Sequence, residues 1–390
     1  EWSWDRPESA HLKTAYDVLF HYLLPKWLED LDPDTEYWPS SPSSNQPFTN
    51  VNGQKTGDSH YWDVWHGGKP FTAYRDQFPR FMSEFGFQAF PTLETIHQYT
   101  EQPDRNLTSY VMELHQKNNN GNRLIINQMT AAFRIPTSFD KLMYASHILQ
   151  AEGIRYGVEH WRRHKNRVSG ILYWQLNDCW PVASWASIDY YGRWKALHYA
   201  AKKFYAPLLL SVFDQDQKFE IWLTSDALED FAGTIQWKLM TVTGEIKKSG
   251  EQAVKLQAQH SEEVMELEFT LSPEEKFNTL FVAELWDEQQ LVTTQTVTFH
   301  PDKHINYVDP QLETSITVKE QNAEIQISAK NFARFVEVKL EGIDTIFSDN
   351  YFDIPAGETR SITCAIPDGS SAQSLKKQIR LMHLHESYQE

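Results

Sequence analysis

The sequence predicts an α/β region followed by an all-β region, and three observations carry that reading. Its 390 residues exceed what one core usually supports, so two or three domains are expected. In roughly the first half, short apolar strands without alternation are separated by helical stretches, the pattern of a parallel sheet buried on both faces. From about Leu208 onward the texture changes to period-two stretches bounded by turns, as in antiparallel sandwiches.

Taken in order, residues 10–30 place Leu12, Tyr16, Leu19, Phe20 and Leu23 at spacings of three and four, which predicts an amphipathic helix ending near Pro25. The segment TEYWPSSPSSNQ reads as a short buried strand opening into a polar loop. GDSHYWDVWHGG reads as an aromatic strand between Gly57 and Gly67-Gly68, and RFMSEFG as the next strand. Residues 92–116 and 138–165 are expected to be helical, the second with Leu142, Ile148, Leu149, Val158 and Trp161 on one stripe. VSGILYWQLND is a continuous apolar strand closed by polar residues.

Beyond GRWKALHYAAKKFYAPLL, the stretches FEIWLTS, GTIQWKLMT, TLFVAELWD and AEIQISAK alternate, with turns at Thr243-Gly244 and Pro355-Ala356-Gly357. HPDKHINYVDP, residues 300–310, reads as a linker between two modules of about 90 residues each, an ordinary sandwich size. The expected domains are therefore 1–206, 207–302 and 303–390.

Composition narrows the chemistry. A formal net charge of -17 argues against nucleic acid or an anionic membrane as partner, since phosphate recognition needs excess Lys and Arg. The 14 Trp, 17 Tyr and 22 Phe supply rigid flat faces for ligand-stacking clefts as well as for cores. With only Cys179 and Cys364, expected in different domains, neither a disulfide framework nor a multi-cysteine zinc site is anticipated, and a cytoplasmic location is the expectation. No apolar run is long enough to span a bilayer. The chain begins at Glu1 without Met, which leaves open what precedes it and any signal carried there.

Polar residues at the carboxyl ends of buried parallel strands are where α/β folds keep their chemistry. Three such ends stand out: His60 to His66, Ser83-Glu84, and Trp174 to Asp178. Glu84 lies among Phe81, Phe85 and Phe87, so its ionised form is either desolvated at considerable cost or held by partners for a purpose. Taken alone it reads as a structural glutamate, capping a helix or pairing with Arg80. Together the three ends assemble a carboxylate, aromatic platforms and hydrogen-bonding groups, which is what sugar hydrolysis requires. A metal site at Asp58, His60, Asp63 and His66 is disfavoured because the spacing is that of a strand, not the i, i+4 of a zincin helix. His383 and His385 read as a plain β-face or solvated tail, and the Asn106 triplet NLT carries little weight as a glycosylation acceptor.

These residues resemble a known family. RFMSEFGFQAFPTLETI resembles the nucleophile motif of the β-mannosidases of glycoside hydrolase family 2. GILYWQLNDCWPVASWASIDYYGRWKALHYAAKKFYAPLL is similar to their last barrel strand and exit helix, GDSHYWDVWHGG to their sixth strand, and FSDNYFDIPAGE to a motif of their C-terminal sandwich.

The resemblance covers nearly the whole chain and implies the C-terminal half of a TIM (β/α)8 barrel followed by two immunoglobulin-like β-sandwich domains. It implies a retaining exo-β-mannosidase with Glu84 as nucleophile. His60, Tyr61, Trp65 and His66 would line the pocket, Trp174 would lie beneath the terminal sugar, and Asn177 and Asp178 would support that wall. No cofactor or metal is implied. The substrate class is a β-mannoside or manno-oligosaccharide.

One departure from the family pattern matters. A retaining glycosidase needs a second carboxyl roughly 5 Å from the first. The Asn-Glu that would supply it does not precede the first helix, and Glu1 is a poor candidate. Half a barrel would also leave open sheet edges. The expected partner is therefore the missing N-terminal part of the same enzyme, with a split subunit or homo-oligomerisation as other ways of covering the edge. Alternatives within the family are an exo-β-glucosaminidase or a β-galactosidase; outside catalysis, the alternative is a carbohydrate-binding fragment.

Overall fold

The computed structural model describes residues 9–390, so Glu1 lies outside the described residues. Helix α1 (Ala10–Asp17) passes through a π-helical turn, Val18–Leu23, into α2 (Leu24–Leu31). The helix thus continues past Pro25. Pro25 has no N–H to continue the ladder; the wide turn before it makes room for its ring, with the Leu24 N–H bonded to the Leu19 carbonyl and the Phe20 carbonyl taken by the Tyr37 hydroxyl at 2.9 Å. No residue of these helices is buried. The expected strand in TEYWPSSPSSNQ is absent: residues 36–46 are irregular, and their polar groups turn to Asp58 instead.

Strands β1 (Ser59–Tyr61) and β2 (Met82–Phe85) pair in parallel, with His60 opposite Glu84. Residues 170–174 run parallel along β2 through isolated bridges at Met82–Ile171 and Gly86–Trp174, not through a continuous ladder. Leu172 donates to the Met82 carbonyl at 2.8 Å and Trp174 to that of Phe85 at 2.7 Å. The stretch expected to be helical over 92–116 is divided into α3 (Leu93–Tyr99), a 3-10 turn containing Pro103, and α4 (Tyr110–Leu114), because Thr92 and Ser109 each cap a new start. Helix α5 (Gly121–Ala132) follows.

Helix α6 (Phe139–Arg163) matches its expected span within two residues, with Ser138 as N-cap accepting from the Lys141 N–H. Eighteen of its 25 residues are buried. One side packs on the parallel strands, where Trp161 meets Phe85 at a ring separation of 4.8 Å. Gln150 donates from Nε2 to the Phe87 carbonyl at 2.8 Å. Truncating a fully buried tryptophan such as Trp161 removes on the order of 3–5 kcal/mol. Helix α7 (Ala196–Phe204) packs beside it and leads into the β region.

That region opens with β3 (Leu208–Gln215), β4 (Lys218–Ser225), β5 (Phe231–Thr241), β6 (Ile246–Leu256) and β7 (Ser261–Glu268). A short helix α8 (Pro273–Lys276) precedes β8 (Thr279–Asp287) and β9 (Gln290–Thr298). They form two antiparallel sheets, ordered β3-β4-β7 and β6-β5-β8-β9, which enclose Leu210, Phe219, Ile221, Ile235 and Phe281. The second β unit contains β10 (Leu312–Lys319), β11 (Asn322–Ala329), β12 (Ala333–Leu340), β13 (Phe352–Ile354) and β14 (Thr359–Ala365), then α9 (Ala372–Gln378), β15 (Ile379–Met382) and α10 (Leu384–Ser387). Its sheets are β10-β11-β14 and β13-β12-β15 around Ile325, Val336, Val338, Ile354 and Ile362.

The alternating stretches in the sequence are therefore strands β4, β5, β8 and β11, and the chain is mainly β-sheet. The turn glycines Gly244 and Gly357 take φ of 96° and 80°, which strongly favour glycine.

The far side of α6 faces both β units. Tyr144 donates its hydroxyl to the Phe335 carbonyl at 2.6 Å, and Gln295 donates to Glu159 at 3.0 Å. The segment between the units is a structural tie as well as a connection: Asp302 bonds Arg334, which also pairs with Asp353 at 2.6 Å, and Ile305 is buried. His383 caps α10 and His385 lies in that helix, so the expected β-face is replaced by a helix start. Cys179 and Cys364 are both free thiols. No helix among the described residues is long and apolar enough to cross a membrane.

Burial holds three histidines neutral. It lowers His147 and His160 to about 3 each and His383 to about 4. Their unfolded counterparts titrate near 6.5, so between these limits the unfolded chain binds more protons. The stabilisation is complete above pH about 6.5 and is lost as pH falls toward 4 and below. Urea denaturation midpoints are expected to fall between pH 7 and pH 4.5, and His147→Gln is expected to reduce the slope of that decline. An unchanged midpoint over this range would contradict the burial-driven neutrality.

Candidate active site

The site begins with a local irregularity in strand pairing. β2 carries one extra residue between the pairs Ser59–Met82 and His60–Glu84, and the extra residue is Ser83. A bulge of this kind re-aims side chains. Ser83 Oγ reaches Asp58 Oδ2 at 2.5 Å, while Glu84 Oε2 meets His60 Nδ1 at 2.8 Å. The Glu84 side chain is 24% exposed and that of His60 11%, so the pair is sheltered but open on one side.

Behind His60 lies Asp58, an almost buried carboxylate that receives four hydrogen bonds. Its donors are Trp38 Nε1 (3.1 Å), Ser41 Oγ (2.7 Å), the Ser43 N–H (2.8 Å) and Ser83 Oγ. Burial pushes its pKa up, but the bonds from Ser41, Ser83, Ser43 and Trp38 outweigh it and hold the group below the usual carboxylate range. Asn52 fixes the His60 backbone, accepting its N–H at 2.7 Å and donating to its carbonyl at 2.9 Å.

Next to Glu84 the chain reaches Gly86, whose missing side chain makes room for the aromatic wall. A Cβ there would lie 2.6 Å from the Trp174 carbonyl oxygen, 2.8 Å from the Trp62 ring and 3.0 Å from that of Trp185. Trp174, joined to Gln175 by a cis peptide, is 46% exposed at the end of its segment. Trp62 packs near His66 (5.2 Å between rings) and edge-on to Trp185 (6.0 Å).

The residues singled out in the sequence divide accordingly. Glu84 and His60 are in contact, Trp174 follows across Gly86, and His66 is exposed beside Trp62. Tyr61 points the other way, as strand alternation requires, and packs edge-on against buried Tyr74. Trp65 is fully buried, 5.0 Å from Phe87, in the core and not at the opening. Asp178 is buried and tied to Lys117 Nζ (2.8 Å) and Ser184 Oγ (2.6 Å), a brace for the loop that carries exposed Asn177.

Two contributors escaped the sequence reading. Trp185 looked like any aromatic of the exit segment, and Ser41 sits in a polar loop 17 residues before Asp58. No group of three or more His, Cys, Asp or Glu among the described residues is placed to hold a metal ion. The arrangement offers a carboxylate with one sheltered and one open side, an imidazole at hydrogen-bonding distance, and flat aromatic faces alongside. That combination suits attack on, or binding of, a ring with one apolar face.

Comparison with known proteins defines the class first: residues 217–304 match a mannosidase Ig/CBM-like domain and residues 307–387 an Ig-fold domain of mannosidases. Over 92% of its length the chain is similar to the curated β-mannosidase B of Emericella nidulans (28% identity) and to that of Aspergillus fumigatus (29%), covering 45% of each. A solved β-D-mannosidase from Dictyoglomus thermophilum superposes on 94% of the chain with a TM-score of 0.87 and 30% identity, 44% of that protein being covered. An Amycolatopsis orientalis exo-chitosanase shares the fold at 15% identity and a TM-score of 0.66. The resemblance to β-mannosidases of glycoside hydrolase family 2 thus extends over almost the entire chain, which spans about half the length of the relatives it matches.

Substituting Gly86 tests the wall. Gly86→Ala forces a methyl against the Trp174 backbone, and the protein is expected to lose about 1–3 kcal/mol, the range for overpacking a tight site. Denaturant titration with tryptophan fluorescence is the measurement; wild-type stability in the variant would show that the wall is not tightly packed at Gly86.

Proposed function

We propose that the chain provides the nucleophile-bearing part of a retaining exo-β-mannosidase. The observation that carries this reading is the Glu84–His60 pair at the ends of adjacent parallel strands, beside an exposed Trp174, in a chain similar to β-mannosidases along nearly its whole length.

In this reading a Glu84 oxygen attacks the anomeric carbon of a terminal β-linked mannose. The glycosidic C–O bond breaks, and the leaving oxygen takes a proton from a second carboxylic acid outside the described residues. Water deprotonated by that same group then cleaves the glycosyl ester. Trp174 stacks beneath the sugar and His60 orients the attacking carboxylate. His66, Trp62 and Asn177 border the opening, while Tyr61, Trp65 and Asp178 act from behind as packing and bracing groups. The steps as written call on no metal or cofactor.

We also infer the architecture in which this operates. The three parallel segments, with α5, α6 and α7 packed outside them, form the C-terminal half of a (β/α)8 barrel over residues 1–206. Two sandwich domains follow, 207–302 and 303–390, supported by their separate cores. The partner of the half-barrel is the N-terminal part of the same enzyme. Exposed Leu172 and Leu176 on the last parallel segment, and Leu12, Tyr22 and Trp27 on the first helices, support an apolar boundary that such a partner covers.

Hydrolysis of a chromogenic β-mannoside by the intact protein containing this chain, in wild-type and Glu84→Gln forms, tests the reading. The substitution is expected to lower kcat by about 10^4-fold or more, the scale on which removal of a nucleophile acts. Activity retained in the variant, or a clear preference for β-glucosaminides, would replace the assignment. Trp174→Ala is expected to raise KM by about 10-fold or more, since a sugar–aromatic platform contributes on the order of 1–3 kcal/mol. An unchanged KM would remove Trp174 from the sugar-binding surface.

A further inference from the structure

The contacts of Glu84 and His60 continue past the imidazole. Glu84 Oε2 lies 2.8 Å from His60 Nδ1, His60 Nε2 lies 3.0 Å from Ser41 Oγ, and Ser41 Oγ lies 2.7 Å from Asp58 Oδ2. Ser41 comes from the irregular loop, Asp58 and His60 from β1 and its approach, and Glu84 from β2. Four groups from three parts of the chain therefore form one unbroken line of hydrogen-bonding distances ending at the carboxylate read above as the nucleophile.

The direction of each bond follows from proton counting. Asp58 takes donors on both oxygens, from Trp38 and the Ser43 N–H on Oδ1 and from Ser41 and Ser83 on Oδ2. An ionised Asp58 has no proton to give, so the single Ser41 hydroxyl proton points toward it. The Ser41 oxygen then offers only lone pairs to His60, and Nε2 must carry a hydrogen. Nδ1 is left to share one further proton with Glu84. Attack on a sugar requires that proton on the imidazole, with Glu84 ionised and both ring nitrogens donating. A ring held at both nitrogens cannot rotate away, and the carboxylate it meets is fixed in turn.

We propose that Ser41 and Asp58 are positioning residues for glycosyl transfer to Glu84, acting through His60 by holding its ring in the orientation and protonation that present an ionised carboxylate to the anomeric carbon. The proposal rests on the reading of Glu84 as nucleophile. It assigns to Asp58 a role at two removes from the substrate and explains why a carboxylate so well supplied with donors is buried beside an active site. Ser83, whose hydroxyl also bonds Asp58, supports the relay without touching His60 in the same line.

The test isolates the attack itself. A 2-deoxy-2-fluoro-β-mannosyl fluoride reacts by forming the bond between C1 and a Glu84 oxygen while the C1–F bond breaks; fluoride departs with the electron pair and needs no acid. In the intact protein containing this chain, Ser41→Ala and Asp58→Asn are each expected to slow the first-order labelling rate at saturating reagent by about 10-fold or more, with the reagent's dissociation constant changed less than about twofold, as small misplacements of a reacting group do. Ser41→Thr, which keeps the hydroxyl, is expected to restore labelling toward the wild-type rate. The double variant Ser41→Ala/Asp58→Asn is expected to be no slower than the slower single variant, because both break the same line.

A role confined to stability would instead lower the fraction of protein that labels and leave the rate of the folded fraction unchanged. If wild type labels at Glu84 and both single variants label at the wild-type rate, the relay is overturned and the glycosidase reading stands. If wild type acquires no label at Glu84, both fall. Should Ser41→Ala fail to fold, Asp58→Asn and Ser41→Thr carry the same comparison.

Discussion

The structure depends on the burial of one helix. Helix α6 presents apolar side chains to the parallel strands on one side and to both β units on the other, so that Trp161 and Tyr144 serve different neighbours from the same element. A helix enclosed on so many sides has to satisfy its polar groups internally. Glu152, Arg155 and Glu159 do so as a connected set, with Arg155 bonded to both carboxylates. Arg162 donates to the carbonyls of Phe204 and Ala206 at 2.7 Å each and to Asp226, fixing where the first β unit begins. Through this helix the sheet that carries Glu84 and the sandwiches behind it become one packed body.

From that framework the site inherits its rigidity. Phe85 and Phe87 are anchored against α6 and its neighbours, so Glu84, one residue before Phe85, has its backbone fixed by side chains that never reach the opening. The bulge at Ser83 then decides which groups face the cleft. Strict alternation would send Ser83 and Glu84 to opposite faces. With the extra residue, both join the hydrogen-bond network running from Asp58 to His60. Gly86 completes the arrangement by letting the Trp174 backbone and the Trp62 and Trp185 rings close around the strand end.

Asp58 is the point at which electrostatics and packing meet. A carboxylate this buried is costly unless its oxygens are bonded, and four donors from two chain segments meet that requirement. In doing so they bind the loop around Ser41 to the strands. The segment expected to be a strand has its backbone and side chains engaged with Asp58, which is why local propensity did not prevail there. Likewise Asp302, in what reads as a linker, is drawn into a buried ion pair with Arg334 that ties the two β units together.

Much of this was legible from residue order alone. Period-two stretches marked β4, β5, β8 and β11, most plainly β11, whose alternate residues are buried, although β8 proves buried on both faces from Thr279 to Leu285; the 3.6-residue stripe marked α6. The motif around Glu84, with the aromatic ends at His60 and Trp174, pointed to the neighbourhood of the site because polar groups closing apolar strands are local features. Tertiary structure alone decided the rest. Whether Trp65 or Trp62 faces the opening depends on how the chain turns after a three-residue strand, and Asp178 became a brace only when Lys117, 61 residues away, reached it. Ser41 and Asp58 joined Glu84 through a bulge and a long loop, and no local pattern encodes such contacts: hydrogen bonds between distant segments form only where packing has already brought the donors and acceptors within 3 Å of one another.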